Sequence, residues 1–144
     1  MTRRTPTARR RAREVAFRVA YQSDVTRDEV ARVWALRQAE EHLGGDPRQL
    51  VEDVVAVLEQ RGAEVDEALQ GASEHWALGR LAATDRAVLR AAVAELMGRP
   101  GTPARVVLDE AIEIARRYGS DESGRFVNGV LDRIARQLRP GEFA

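Results

Sequence analysis

Apolar residues recur along most of this chain at three- and four-residue spacing, the period of helices that bury one face. The clearest stretch is 106–134, which reads as two helices meeting at a short polar corner. Val107, Ala111, Ile114, Ala115 and Tyr118 form one stripe; Phe126, Val127, Val130, Leu131, Ile134 and Leu138 form the next. Gly119 stands where a helix C-cap favours positive φ, and Ser120 or Asp121 can cap the helix that follows. Asn128 and Gly129 are poor interior helix formers. Their presence points to a close helix approach, or to a backbone hydrogen bond from Asn128.

The same pattern divides the rest of the chain. A first helix from Ala8 buries Ala12, Val15, Ala16, Val19 and Ala20. Thr26 and Glu29 form a capping box for a second helix, which runs to about Leu43 and buries Val30, Val33, Trp34 and Leu36. Gly44 and Gly45 stop it, and Asp46 with Pro47 starts a third helix along Leu50, Val54, Val57 and Leu58. A joint is expected near Gly62, then a fourth helix through Val65, Leu69 and Ala72. An irregular corner from Trp76 to Asp85 leads to a fifth helix capped by Thr84, with Asp85 at its positive dipole end. That helix buries Val88, Leu89, Ala92, Val93 and Leu96 and closes at Gly98, and Thr102-Pro103 opens the final pair. The expectation is an all-α fold of seven helices in one domain, which suits a length of 144 residues.

Charge adds a second layer. Net charge is zero, yet residues 1–14 carry Arg3, Arg4, Arg9, Arg10, Arg11 and Arg13 against Glu14 alone, so this end holds +5 and the remainder −5. All 23 strongly basic residues are arginine. A guanidinium binds phosphate bidentately and stacks on bases, so an arginine-rich helix start suits single-stranded RNA. A solvated basic terminus and a transit peptide compete with that reading, although Glu14 and the buried stripe speak against the latter. Met1–Thr7, with Pro6 and no apolar pattern, is expected to be mobile until bound.

Catalytic chemistry finds little support. There is no cysteine, and no apolar run is long enough to cross a bilayer. His42 and His75 lack zinc-ligand spacing, and no phosphate-binding G-x-x-x-x-G-K loop exists. Glu113 and Arg117 read as a surface i,i+4 pair. The chain reads as a binding protein with no cofactor or metal, not an enzyme.

At this point the residues carry a family resemblance. Arg9–Glu14 (RRRARE) and Tyr21 are followed by Trp76, Arg80-Leu81 and Asp85–Arg90 (DRAVLR), then Glu95-Leu96. Asp109–Ala115 (DEAIEIA), Tyr118-Gly119 and Arg125–Asp132 (RFVNGVLD) complete the series. In this joint order they resemble the NusB family of bacterial transcription antitermination factors, over essentially the whole chain. The resemblance implies two helical subdomains, three helices over 8–61 and four over 62–139. It implies a cytoplasmic protein that binds boxA RNA of ribosomal RNA operons with NusE, a small-subunit ribosomal protein. The loaded RNA would join RNA polymerase with NusA and NusG to suppress termination.

Residue by residue, Arg9, Arg10, Arg11 and Arg13 match the family's basic RNA-binding motif. Arg125 and Phe126 match a basic and aromatic pair near the RNA, with Phe126 as plain core the competing reading. Glu122 and Ser123 match a polar corner on the same surface, while Tyr21, Asp85 and Arg86 fall at the NusE interface. Trp76 and Arg80 border the RNA path. Some family members form a homodimer through the arm-bearing surface, and the sequence leaves that state open. Two other readings stay open: an RNA-binding module tied to ribosomal RNA modification or ribosome assembly, and a helical DNA-binding regulator, which would need a base-reading helix.

Overall fold

The computed structural model describes residues 7–73 and 77–143. Among them are six α-helices, two short 3-10 turns (Leu78–Arg80 and Pro140–Glu142) and no strand. The helices are α1 (Ala8–Thr26), α2 (Val30–Glu41), α3 (Gly45–Ala72), α4 (Ala83–Gly98), α5 (Ala104–Tyr118) and α6 (Asp121–Leu138). The all-α expectation holds. The arm through Pro6, and with it Arg3 and Arg4, lies outside the described residues, as do His75 and Trp76.

α4 is the centre of the molecule. Ala87, Val88, Leu89 and every residue from Ala91 to Leu96 are buried, and the helix touches α1, α3, α5 and α6. A helix apolar around most of its circumference has to be enclosed. α5 and α6, with one apolar stripe each, pack against each other and against α4. One continuous cluster of buried side chains runs from Ala12 in α1 to Ala135 in α6.

Where seven helices were expected, six form. The third and fourth are one helix, α3, bent at Arg61 (φ −129°, ψ 24°) beside Gly62, the site of the expected joint. Most other differences concern helix ends, where tertiary partners replace local ones. Thr26 closes the last turn of α1, its hydroxyl donating to the Gln22 carbonyl and accepting from the Asp28 N–H at 3.3 Å, but Glu29 makes no side-chain cap bond, so the expected box does not close. Arg27 takes the left-handed conformation. The free N–H of Ala31 in α2 instead finds the Glu59 carboxylate of α3 at 3.3 Å. His42, also left-handed, ends α2 before the two glycines. Gly44 rather than Asp46 precedes α3, and Ala82 rather than Thr84 precedes α4. Thr102 does not cap α5; the Ala104 N–H donates to Glu142 at 2.9 Å, from the chain's far end.

Ser120 does cap α6, accepting from the Ser123 N–H at 3.1 Å. Gly119, however, has φ −120°, so positive φ is not its reason. A Cβ there would stand 2.7 Å from the Ser123 hydroxyl and 2.8 Å from the Ala115 carbonyl, so the tight corner leaves no space for one. The close helix approach expected at Gly129 lies at Gly124, where a Cβ would meet the Arg116 side chain at 2.8 Å. Gly129 faces open space, and Asn128 is exposed without a side-chain hydrogen bond among the described residues. Leu36 and Leu138, expected in the core, are 69% and 40% exposed.

Candidate nucleic-acid interface

The basic helix start is built from its cap outward. The Thr7 hydroxyl accepts from the Arg10 N–H at 3.1 Å, which sets the first turn of α1. Successive residues then point about 100° apart, so four nearby arginines cannot share one face. Arg9, Arg10 and Arg11 face outward or sideways, whereas Arg13 turns into the core. Arg9 Nε donates to Asp46 at 2.9 Å. Arg10 forks onto Glu110 at 3.0 and 3.3 Å, and these bonds raise its already high pKa. Arg11 is exposed, with one Nη 3.5 Å from the Glu41 carbonyl. Arg13 is buried against Glu95 of α4.

From Arg10 onward, α1 and α5 run side by side in the same direction. Arg10 meets Glu110, Glu14 meets Arg117, and Arg18 donates to the Tyr118 hydroxyl at 2.7 Å. Arg117 therefore pairs across helices with Glu14, not with Glu113 along its own helix; Glu113 pairs with Arg116 at 3.3 Å. The Arg18 guanidinium also lies 5.7 Å from the Tyr118 ring centre. This seam of two ion pairs and one hydrogen bond spans about 12 Å, eight residues at helical rise. It ends at Tyr118, where the Gly119–Ser123 corner begins. The basic start and the polar corner are thus two ends of one surface, a relation invisible in sequence.

At the corner, Asp85, Glu122, Ser123 and Phe126 line one groove with Arg80 and Ser120, between the first turns of α4 and α6. Phe126 is half-buried and packs against the core, so its ring is shared between the interior and the groove. Arg125 and Arg80 are exposed and ion-pair with none of the described residues. Asp85 sits in the first turn of α4, and its Oδ1 is buried without a hydrogen-bond partner among the described residues.

Tyr21 and Arg86 do not join this groove. Tyr21 is 38% exposed and packs its ring 6.3 Å from Phe17; Phe17 in turn lies 4.9 Å from Tyr118. Arg86 is committed internally, donating to Asp24 at 2.6 and 3.1 Å and to the carbonyls of Leu78 and Leu81. Sequence reasoning gave none of the cross-helix partners of Arg18, Arg117 and the buried Glu95. For Glu95 a signal existed, a lone acid inside the most apolar helix. No metal-binding group of acids and histidines occurs among the described residues, and no described helix is long and apolar enough to cross a membrane.

Comparison with known proteins places this surface in context. Residues 10–136 match the model of the NusB family. The transcription antitermination protein NusB of Koribacter versatilis is 43% identical over 142 residues, 96% of this chain and 94% of that protein. Its counterpart from Sorangium cellulosum is 47% identical over 133 residues, covering 91% and 94%. A T. maritima NusB structure superposes with a TM-score of 0.83 at 34% identity, covering 96% of this chain and 99% of that one. The same fold occurs in a complex of antitermination factors NusB and NusE with double-stranded RNA, with a TM-score of 0.80 at 24% identity over 90% of this chain and 97% of that one.

Proposed function

The chain belongs to the NusB family, and from that premise we propose that it binds boxA-type single-stranded RNA together with NusE and acts in transcription antitermination. The observation that carries this reading is the continuous surface from Arg9–Arg11 along the α1–α5 seam to the corner at Ser123 and Phe126. Outward arginines neutralise phosphates, and the half-buried Phe126 ring, beside Arg125, which is exposed and unpaired among the described residues, offers a face on which a base stacks. Glu122 and Ser123 border the same path, the acid weakening RNA attraction there. The buried, unpartnered Asp85 oxygen suits a donor from a protein partner, as does the exposed ring of Tyr21. NusE is that partner in this reading, with Arg86 holding the platform beneath.

Arg13 serves this surface from below by anchoring α1. The loaded protein would act in the cytoplasm and join RNA polymerase with NusA and NusG. Catalysis has no part in this role. The bend at Arg61 is where a division into three helices over 8–61 and four over 62–139 would fall. A homodimer through the arm-bearing surface would cover Arg9–Arg11 and compete with RNA.

The test is titration of a fluorescent boxA RNA, with and without NusE, against a scrambled strand of equal length. Selective binding that tightens when NusE is added is expected. Equal binding to both strands with no effect of NusE would overturn the reading, and a preference for duplex DNA would favour a DNA-binding regulator instead.

A further inference from the structure

Asp46 is held by two arginines from opposite sides of a groove. Its Oδ2 accepts from Arg9 Nε at 2.9 Å, and its Oδ1 accepts from Arg99 Nη2 at 2.8 Å. Arg9 comes from the basic start of α1 and Arg99 from the turn after α4, so 90 residues of chain separate them. A carboxylate clamped between two guanidiniums has the charge and the oxygen geometry of a backbone phosphate. The groove continues past Arg99 along Gly98, Gly101 and Thr102 to Val106 of α5, one turn before Glu110, the partner of Arg10.

We propose that the Arg9–Arg99 clamp is a phosphate site for the RNA strand and that Asp46 occupies it in the free protein. The site rests on the RNA-binding reading above and extends the strand's path beyond the motif arginines to the turn at 98–103.

Three features distinguish the clamp from an ordinary surface ion pair. First, Arg99 is oriented before any ligand arrives: Nη1 bonds Asp53 at 2.9 Å, and its side chain is only 14% exposed, so little ordering is left to do. Second, its Nε is buried and has no hydrogen-bond partner among the described residues. Third, the occupant is open to solvent, as is Arg9 at 63% exposure. Asp46 is 46% exposed on a short side chain at the first turn of α3, so it can swing to water when a phosphate competes. With Asp46 in place, two arginines face two acids and the clamp is neutral. With Asp46 displaced, Arg9, Arg99 and Asp53 leave one positive charge for one phosphate.

The experiment measures RNA affinity across a salt series for the intact protein, Asp46→Asn, Arg99→Gln and the double variant, with Arg11→Gln as a variant of the arm outside the clamp. Asp46→Asn is expected to bind about twofold to fivefold tighter, the worth of an exposed ion pair that no longer competes. Arg99→Gln should bind more weakly and flatten the salt slope by about 0.7, one single-strand phosphate, and the double variant should lose the gain. Asp46→Asn keeps the side chain's shape at an exposed position, so it remains informative even if Arg99→Gln lowers the melting temperature. Unchanged affinity in Asp46→Asn, with weakened binding in Arg11→Gln, overturns the clamp while leaving the RNA-binding reading standing. Absence of salt-dependent RNA binding by the intact protein overturns both.

Discussion

Arg13 of α1 sets its Nε 2.9 and 3.0 Å from the two carboxylate oxygens of Glu95 in α4, with Nη2 2.8 Å from one of them. Both side chains are almost sealed from solvent, at 8% and 4% exposure. Removing one partner strands a buried charge, so Glu95→Ala or Arg13→Ala should each cost about 3–5 kcal/mol, while replacing both with apolar residues should cost far less. Denaturant unfolding of the two single variants and an Arg13→Met, Glu95→Leu pair checks this. The pair variant should also keep the RNA salt slope of the intact protein, because the Arg13 side chain is only 8% exposed and is bonded to Glu95.

Asp24 joins the end of α1 to α4 through Arg86 and Arg90. Burial works against its charged form, but hydrogen bonds from the two arginines prevail and hold its carboxyl below the usual range. A carboxyl depressed in the folded state contributes stability at neutral pH. That contribution is lost as pH falls below about 4 and through the lowered folded value. Asp24→Asn should therefore melt at lower temperature than the intact protein at pH 7, with the gap narrowing in acid. A constant gap would exclude this origin.

Gly119 and Gly129 should respond oppositely to alanine. At Gly119 the new methyl meets the Ala115 carbonyl at 2.8 Å, a backbone atom that cannot step aside, and about 1–3 kcal/mol should be lost. At Gly129 nothing lies within 4 Å, so alanine should add up to about 1 kcal/mol through helix propensity. Thermal melts of the two variants decide it.

The buried Oδ1 of Asp85 has no hydrogen-bond partner among the described residues. Asp85→Asn should leave the melting temperature almost unchanged and weaken NusE binding about tenfold or more, the value of a hydrogen bond to a charged acceptor. Calorimetric titration with NusE reads this directly, and unaltered affinity would remove Asp85 from the interface.

Helix identity and burial were legible in the sequence because both depend on a local period. The stripes through Val107–Tyr118 and Val88–Leu96, and the Ser120 cap, follow from spacing and from one side chain's reach. The basic start was equally plain from charge. Tertiary structure alone decided what those arginines do. Arg13 turns inward, Arg9 and Arg10 meet acids 37 and 100 residues away, and Arg18 reaches Tyr118. Helix ends followed the same rule: Glu59 and Glu142, distant in the chain, accept from the Ala31 and Ala104 N–H groups at the starts of α2 and α5. A helical period specifies which face is buried, but packing chooses which distant carboxylate lies opposite each cation. The clamp at Asp46 was therefore absent from any local pattern.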